Sequence, residues 1–168
     1  MFAYAMDNPQ NPDLAGQLEV LEIQTTNGCD MSHGYEPQDF RDRLQKCTRL
    51  RELHYAACIS DGLDVNLAAH IPSSVETVGL RFTRSLPLLR SFEDWLSHAA
   101  DPSWLPHLKR FKMAIDPESA VEDIEPEHGL QVDVPENYSA QRFDQEFEEK
   151  KRKLYHLLRR NKPSLAFL

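Results

Sequence analysis

The 168-residue sequence lacks the features of membrane-spanning and secreted proteins. No uninterrupted apolar run approaches the roughly 20 residues that a transmembrane helix needs. The first residues, MFAYAMDNPQNP, have neither the basic flank nor the apolar stretch of a signal peptide. We therefore expect an intracellular protein, cytoplasmic or nuclear, that has no membrane partner.

Cysteine is scarce, with only Cys29, Cys47 and Cys58 in the chain. An odd number of thiols at separations of 18 and 11 residues fits neither a zinc ligand set nor a disulfide framework. We expect reduced thiols. In the stretch CTRLRELHYAAC, Cys47 is expected to close the apolar face of a helix and Cys58 to occupy a turn.

Motifs of catalysis and of phosphate binding are missing as well. The six glycines leave little material for a phosphate-binding loop, and no G-x-S-x-G is present. The seven histidines are scattered without an H-E-x-x-H spacing. The stretch DIEPEHG is rich in acids but lacks the spacing of a calcium loop. The sequence predicts no catalytic residue, no cofactor and no metal ligand.

Charge is distributed unevenly along the chain. Residues 116–149 hold 12 acids and one base, residues 150–162 hold seven bases and no acid, and residues 1–115 hold 11 bases and 15 acids. The chain thus reads as a near-neutral body with a polarised tail. We do not expect nucleic acid as its partner.

One short pattern of apolar residues occurs four times. The stretches LEVLEIQTT, LRELHYAAC, VETVGLRFT and LKRFKMAID share apolar residues at positions one, four and six, starting at Leu18, Leu50, Val75 and Leu108. Their starts are 32, 25 and 33 residues apart, the length of one supersecondary unit. The ninth positions are Thr26, Cys58, Thr83 and Asp116, side chains that bond backbone groups at turns.

The pattern resembles the leucine-rich repeat, L-x-x-L-x-L-x-x-N/C, over residues 14–116. The phrases IPSSVETVGL and WLSHAADPSWLPHLKRFKM are similar to the divergent repeats of fungal F-box-type proteins. The resemblance implies an α/β fold: a right-handed solenoid with parallel strands on the concave face, helices on the convex face and a capping helix at the C-terminal end. No segment like an F-box is seen, since about 13 residues precede the first repeat.

Helices are predicted between the strands and after them. PQDFRDRLQKC places Phe40, Leu44 and Cys47 on one face, SLPLLRSFEDWLSHAA forms a longer amphipathic helix, and residues 61–70 allow a short one. We expect a solenoid over residues 1–134, with LQVDV as a fifth strand. A C-terminal helix and tail, residues 135–168, should pack on the solenoid or extend from it.

The basic run KKRKLYHLLRR leaves two interpretations open. It is either a nuclear-import or phosphate-binding patch, or the solvated side of a helix whose leucines cover the last repeat. The N-terminal strand edge, Leu18 to Ile23, is expected to remain poorly covered and to promote self-association.

Strand residues that alternate with the core set should line the open face of the sheet. Charge on this face runs from acidic to basic along the stack, which suits a protein or peptide partner. The predicted partner-binding residues are Glu22, Gln24, Glu52, His54, Arg81, Arg110 and Lys112. Next to them, Glu19, Ala56, Thr77, Gly79 and Ala114 are assigned to the same face.

The expected function is a non-enzymatic protein-protein interaction module, a fragment of a ubiquitin-ligase substrate receptor by resemblance. The alternative is a small hydrolase or metal-dependent enzyme on an unfamiliar α/β scaffold. A pocket that combines a histidine with two acids from different repeats would favour the enzyme.

Overall fold

The computed structural model describes residues 13–24, 37–57, 67–124, 131–135 and 138–168. The helices of these ranges are α1 (Leu14–Gln17), α2 (Pro37–Lys46), α3 (Leu86–Ala100) and α4 (Ala140–Asn161), with a short 3-10 helix at Leu67–His70. The strands are β1 (Val20–Gln24), β2 (Glu52–Ala57), β3 (Thr77–Phe82), β4 (Arg84–Ser85), β5 (Arg110–Ile115), β6 (Val121–Ile124), β7 (Gln131–Val132) and β8 (Ala166–Phe167). The chain is therefore an α/β protein.

The main sheet has the order β1-β2-β3-β5-β8, and all of its pairings are parallel. Leu21 is the register partner of Leu53, Leu53 of Val78, and Val78 of Phe111. The fourth positions of the four sequence repeats thus lie side by side across the sheet. This confirms the predicted parallel strands centred on these residues.

Each strand of the main sheet is entered through the same turn. The backbone N–H that opens the unit donates to the carbonyl three residues earlier, at 3.0 to 3.3 Å. The donors are Leu18, Leu50, Val75, Leu108 and Leu165. In addition, the carbonyls of Glu19, Arg51 and Glu76 each accept two successive N–H groups of the next unit. The units that the apolar pattern identifies therefore also share their backbone hydrogen bonds.

In the described part of the chain, the helices cover one face of the main sheet and leave the other open. Leu53, Val78 and Phe111 have no exposed surface, and they share one core cluster with Leu44 of α2, Phe92 of α3 and residues of α4. Each such fully buried side chain contributes about 1.5 to 3 kcal/mol through the hydrophobic effect. The alternate strand residues face away from the helices.

Helix α3 begins at the position that its sequence predicts. The Ser85 hydroxyl accepts the Leu88 N–H at 3.5 Å, and Pro87 lies in the first turn, where its missing N–H costs nothing. Phe92 and Trp95 of the predicted apolar face are fully buried.

Helix α4 carries the predicted apolar stripe and packs along α3. The buried residues of the stripe are Phe143, Phe147, Leu154 and Leu158. The Phe147 ring meets the Phe92 ring edge-on at 5.7 Å and stacks on Phe143 at 6.3 Å. The buried stripe of α4 therefore belongs to the same core cluster as the main sheet.

The predicted fifth strand forms but joins a different sheet. In LQVDV, residues Gln131–Val132 pair antiparallel with β6, and β6 pairs parallel with β4 in a small second sheet. The fifth strand of the main sheet is instead β8, which pairs with Arg110 and Phe111 after α4 has crossed back. Helix α4 is thus the connection between β5 and β8 as well as a cover for the last repeat.

One buried arginine joins three segments of the chain. Arg84 forms a two-pronged ion pair with Asp144 of α4, Nε to Oδ1 at 2.8 Å and Nη2 to Oδ2 at 2.9 Å. Its Nη1 donates to the carbonyls of Pro117 and Ser119. The hydrogen bonds of this pair raise the pKa of Arg84 and lower the pKa of Asp144. Sequence periodicity does not reveal the contact, because 60 residues separate the partners.

The edge of β5 beyond β8 is closed by a side chain of α4. The Tyr155 hydroxyl accepts the Met113 N–H at 3.0 Å, and the Tyr155 ring stacks on Phe167 at 4.2 Å. Leu168 N–H donates to the Phe111 carbonyl at 3.2 Å. The last residues and α4 therefore hold the C-terminal edge together.

None of the described helices is long and apolar enough to cross a membrane.

Candidate functional site

The predicted site residues lie together on the open face of the main sheet, in three rows that cross the strands. The first row is Val20, Glu52, Thr77 and Arg110; the second is Glu22, His54, Gly79 and Lys112; the third is Gln24, Ala56, Arg81 and Ala114. The assignment of Glu19 to this face is wrong, because the register places Val20 beside Glu52. Val20 is 56% exposed and adds an apolar side chain to the β1 end.

Side chains of the first row are bound to one another. Arg110 Nε donates to Thr77 Oγ1 at 3.1 Å, and Arg110 Nη2 lies 3.4 Å from Glu52 Oε1. The guanidinium therefore spans β3 and leaves Thr77 only 2% exposed. Glu52 Oε2 also lies 3.6 Å from His54 Nε2. Arg110 and Glu52, both predicted to meet a partner, already satisfy each other.

The second row has a gap at Gly79, and His54 leans over it. A Cβ atom at Gly79 would lie 2.8 Å from His54 Nδ1, closer than such atoms approach. Glycine is therefore needed here so that the imidazole ring can lie across β3. The sequence places both residues on the open face, but their contact depends on a rotamer that no periodicity shows.

Arg81 and Lys112 lie beside this gap. Both are exposed, and within the described ranges neither has an ion-pair or hydrogen-bond partner. They are diagonal neighbours on β3 and β5, since Gly79 is the register partner of Lys112 and Arg81 that of Ala114.

A depression of about 300 Å³ lies over this part of the face. It is lined by the polar residues Glu22, Gln24, His54, Arg81 and Lys112 and by the small residues Ala56, Gly79 and Ala114, among others. The small side chains on three adjacent strands create the space. The sequence signal for the depression is that Ala56, Gly79 and Ala114 all occupy strand positions that face away from the helices. The predicted partner-binding residues are polar and do not include them.

Cys47 is buried at the end of α2, as predicted, and its thiol is unreactive. It follows the last turn of α2, has no exposed surface, and its thiol donates to the Arg43 carbonyl at 3.4 Å. Burial raises the pKa of the Cys47 thiol to about 11, so the thiol is protonated at neutral pH. Cys29 and Cys58 lie outside the described residues, as does Thr26.

Of the ninth repeat positions that are described, only Asp116 makes the predicted bond. Its Oδ1 accepts the Glu118 N–H at 3.0 Å in the turn after β5. The Thr83 hydroxyl is buried and has no hydrogen-bond partner in the described part of the chain. In the same part, no three or more His, Cys, Asp or Glu residues are arranged to hold a metal ion.

Three of the six bases in the basic run on α4 are paired with nearby acids. Lys153 Nζ lies 2.9 Å from Glu149 Oε1, Lys151 pairs with Glu148, and Lys150 Nζ lies 3.7 Å from Glu93 Oε1 on α3. The hydrogen bond between the first two raises the pKa of Lys153 and lowers that of Glu149. These pairs support the interpretation of α4 as a packed helix with a solvated side.

No protein-family model matches the chain, and neither a curated protein nor a solved structure matches it significantly.

Proposed function

We propose that this chain is a non-enzymatic protein-protein interaction module that binds its partner on the open face of the main sheet. The observation that carries the proposal is the depression over Gly79 with Arg81 and Lys112 at its side, two cations that no described residue pairs with. Unpaired cations beside a gap in an ordered surface are groups that a partner can satisfy. The remaining polar side chains of the face set the orientation of that partner.

The sheet is proposed to be the strand face of a right-handed leucine-rich-repeat solenoid. The parallel order of neighbouring units, the shared register and the repeated entry turn support this architecture. In such a solenoid the open face is concave and collects side chains from every repeat. A partner would therefore contact several repeats at once.

The resemblance to fungal F-box-type repeats narrows the proposal to the substrate-recognition part of a ubiquitin ligase. The test is purification of the tagged chain from its source cell, followed by mass spectrometry. Recovery of a ligase adaptor subunit supports the narrower role. Recovery of a partner without any adaptor would support the interaction module and contradict the role in a ubiquitin ligase.

The hydrolase alternative requires a histidine and two acids from different repeats in one pocket. Among the described residues, the depression is lined by His54 and by one carboxylate, that of Glu22. Glu52, the other acid beside His54, is held by Arg110. No specific observation therefore favours the enzyme over the binding module.

Peptide selection on a blocked face tests the binding function. Ala56→Trp places a large ring in the depression, whereas Gln145→Trp places the same ring on the exposed side of α4 as a matched control. A random displayed peptide library is selected against each folded protein. We expect the same peptides to be enriched by wild type and Gln145→Trp and lost with Ala56→Trp. Enrichment that survives Ala56→Trp would move the site elsewhere.

A further inference from the structure

We infer that the depression over Gly79 is a subsite for a carboxylate side chain of an extended acidic peptide segment in the partner. This inference rests on the binding function proposed for the open face, and it names the chemistry that the face recognises. The depression contains no described carboxylate on β3 or β5, the strands that carry Arg81 and Lys112.

The first argument is the contrast between paired and unpaired cations. Three cations on or beside the sheet already have carboxylate partners: Arg49 with Glu19, Lys109 with Glu76, and Arg110 with Glu52. Arg81 and Lys112 have none in the described ranges, although they are diagonal neighbours of like charge. An anion that reaches both would remove their mutual repulsion and gain charge-assisted hydrogen bonds.

The second argument is the space beside these two cations. Gly79 has no side chain, and Ala56 and Ala114 flank Arg81 in its own row. The resulting volume of about 300 Å³ exceeds the volume of a water molecule, about 30 Å³, by a wide margin. A carboxylate side chain therefore fits in the depression that Arg81, Lys112 and His54 line.

The third argument is the opposite charge at the other end of the face. Glu22 lies on β1, three strands away from β5, which corresponds to about 14 Å at roughly 4.8 Å per strand. A polyanion that runs across the strands, such as a nucleic acid backbone, would meet Glu22 as well as the cations. A peptide with acids at one end only avoids that repulsion, and this favours an acidic peptide segment as the occupant.

Fluorescence anisotropy with the full chain tests the subsite. The probe is a fluorescein-labelled peptide, Gly-Ser-Glu-Asp-Glu-Ser-Gly, and the control peptide replaces its acids with the matching amides. We expect the acidic peptide to bind about tenfold more tightly than the amide peptide, because charge-assisted hydrogen bonds are lost. Arg81→Gln and Lys112→Gln should each weaken binding by a similar factor. Arg110→Gln, whose cation is occupied by Glu52, should change it less than about twofold.

Three outcomes would overturn the inference: no binding of the acidic peptide, equal binding of both peptides, or an equal loss with Arg110→Gln. Circular dichroism confirms that each variant is folded. The peptide selection separates this failure from failure of the proposed function. If Ala56→Trp abolishes the enrichment of peptides that are not acidic, the result supports the binding face and contradicts the carboxylate subsite. If the wild-type chain enriches no peptide at all, both fall.

Discussion

Leu53 lies in the middle of the buried face of the main sheet, between Leu21 and Val78, and none of its surface is exposed. Leu53→Ala removes buried methyl groups and leaves a cavity between strands that are fixed on both sides. We expect a loss of about 2 to 5 kcal/mol in the free energy of unfolding. Urea denaturation measures it, with Val20→Ala on the exposed face as the control. An unchanged midpoint for Leu53→Ala would remove this residue from the core.

The ionisation of Asp144 should make the free energy of unfolding depend on pH. Its pKa is lowered by the hydrogen bonds from Arg84, so the pair stabilises the fold above the pKa of an unfolded aspartate, about 3.9. That contribution is lost as the pH falls through the lower pKa of the folded state. Asp144 is 45% exposed, so solvent screens the pair and the contribution is smaller than that of a fully buried pair.

We therefore expect Asp144→Asn to be less stable than wild type at pH 7, and the difference to shrink as the pH falls below about 4. Urea unfolding at a series of pH values measures it. Glu149→Gln, which alters the exposed pair with Lys153 on the same helix, is the control and should show a smaller difference. A gap between wild type and Asp144→Asn that is independent of pH would mean that the ionised carboxylate is not what stabilises the contact.

At the scale of the elements, the repeated apolar pattern predicted β1, β2, β3 and β5 because each carries the full set of spaced core residues. β8 was missed, since LAFL is too short to show the pattern and its pairing depends on where α4 delivers it. β4 has only two residues, Arg84 and Ser85, and they leave no periodic signal. The alternation placed the candidate site, but the pairing of Arg110 with Glu52 depends on side-chain reach between strands that are not adjacent.

Deleting residues 137–168 should lower both stability and solubility. The truncation removes α4 and β8 together, which uncovers Phe92 on α3 and frees the outer edge of β5. Thermal unfolding and the soluble fraction after expression measure the two effects. The control is the full chain with Arg152→Gln and Arg160→Gln, which reduces the basic charge but keeps the apolar stripe. A truncation as stable and soluble as this control would show that the segment is a free basic arm.

At the scale of the whole molecule, the two edges of the main sheet differ. β5 is followed by β8 and closed by Tyr155, whereas β1 pairs only with β2 in the described part of the chain. An edge strand with an exposed Val20 is a template for pairing with a second chain. Self-association through residues Leu18 to Ile23 therefore stays our prediction.

Sedimentation velocity tests the β1 edge at concentrations on the order of tens of micromolar. We expect the wild type to form dimers or larger species and Val20→Lys to be more monomeric, because a charge on an edge strand opposes pairing. Gln145→Lys on α4 adds the same charge away from the edge and should behave like wild type. A wild type that sediments as a clean monomer would contradict the exposed edge.

The sequential strand order also sets how firmly each part of the sheet is held. β3 is paired on both sides over its full length, whereas β1 is paired on one side in the described chain and β8 through two residues only. Local opening should therefore start at the edges, and native-state hydrogen exchange should be slowest in β3 and faster in β1 and β8. Arg81 belongs to the strand expected to open most slowly, so the cationic end of the proposed binding face should be preformed before a partner arrives. The β1 end, with Glu22 and Val20, should adjust its backbone at lower cost, which would let it accommodate the remainder of the proposed peptide segment.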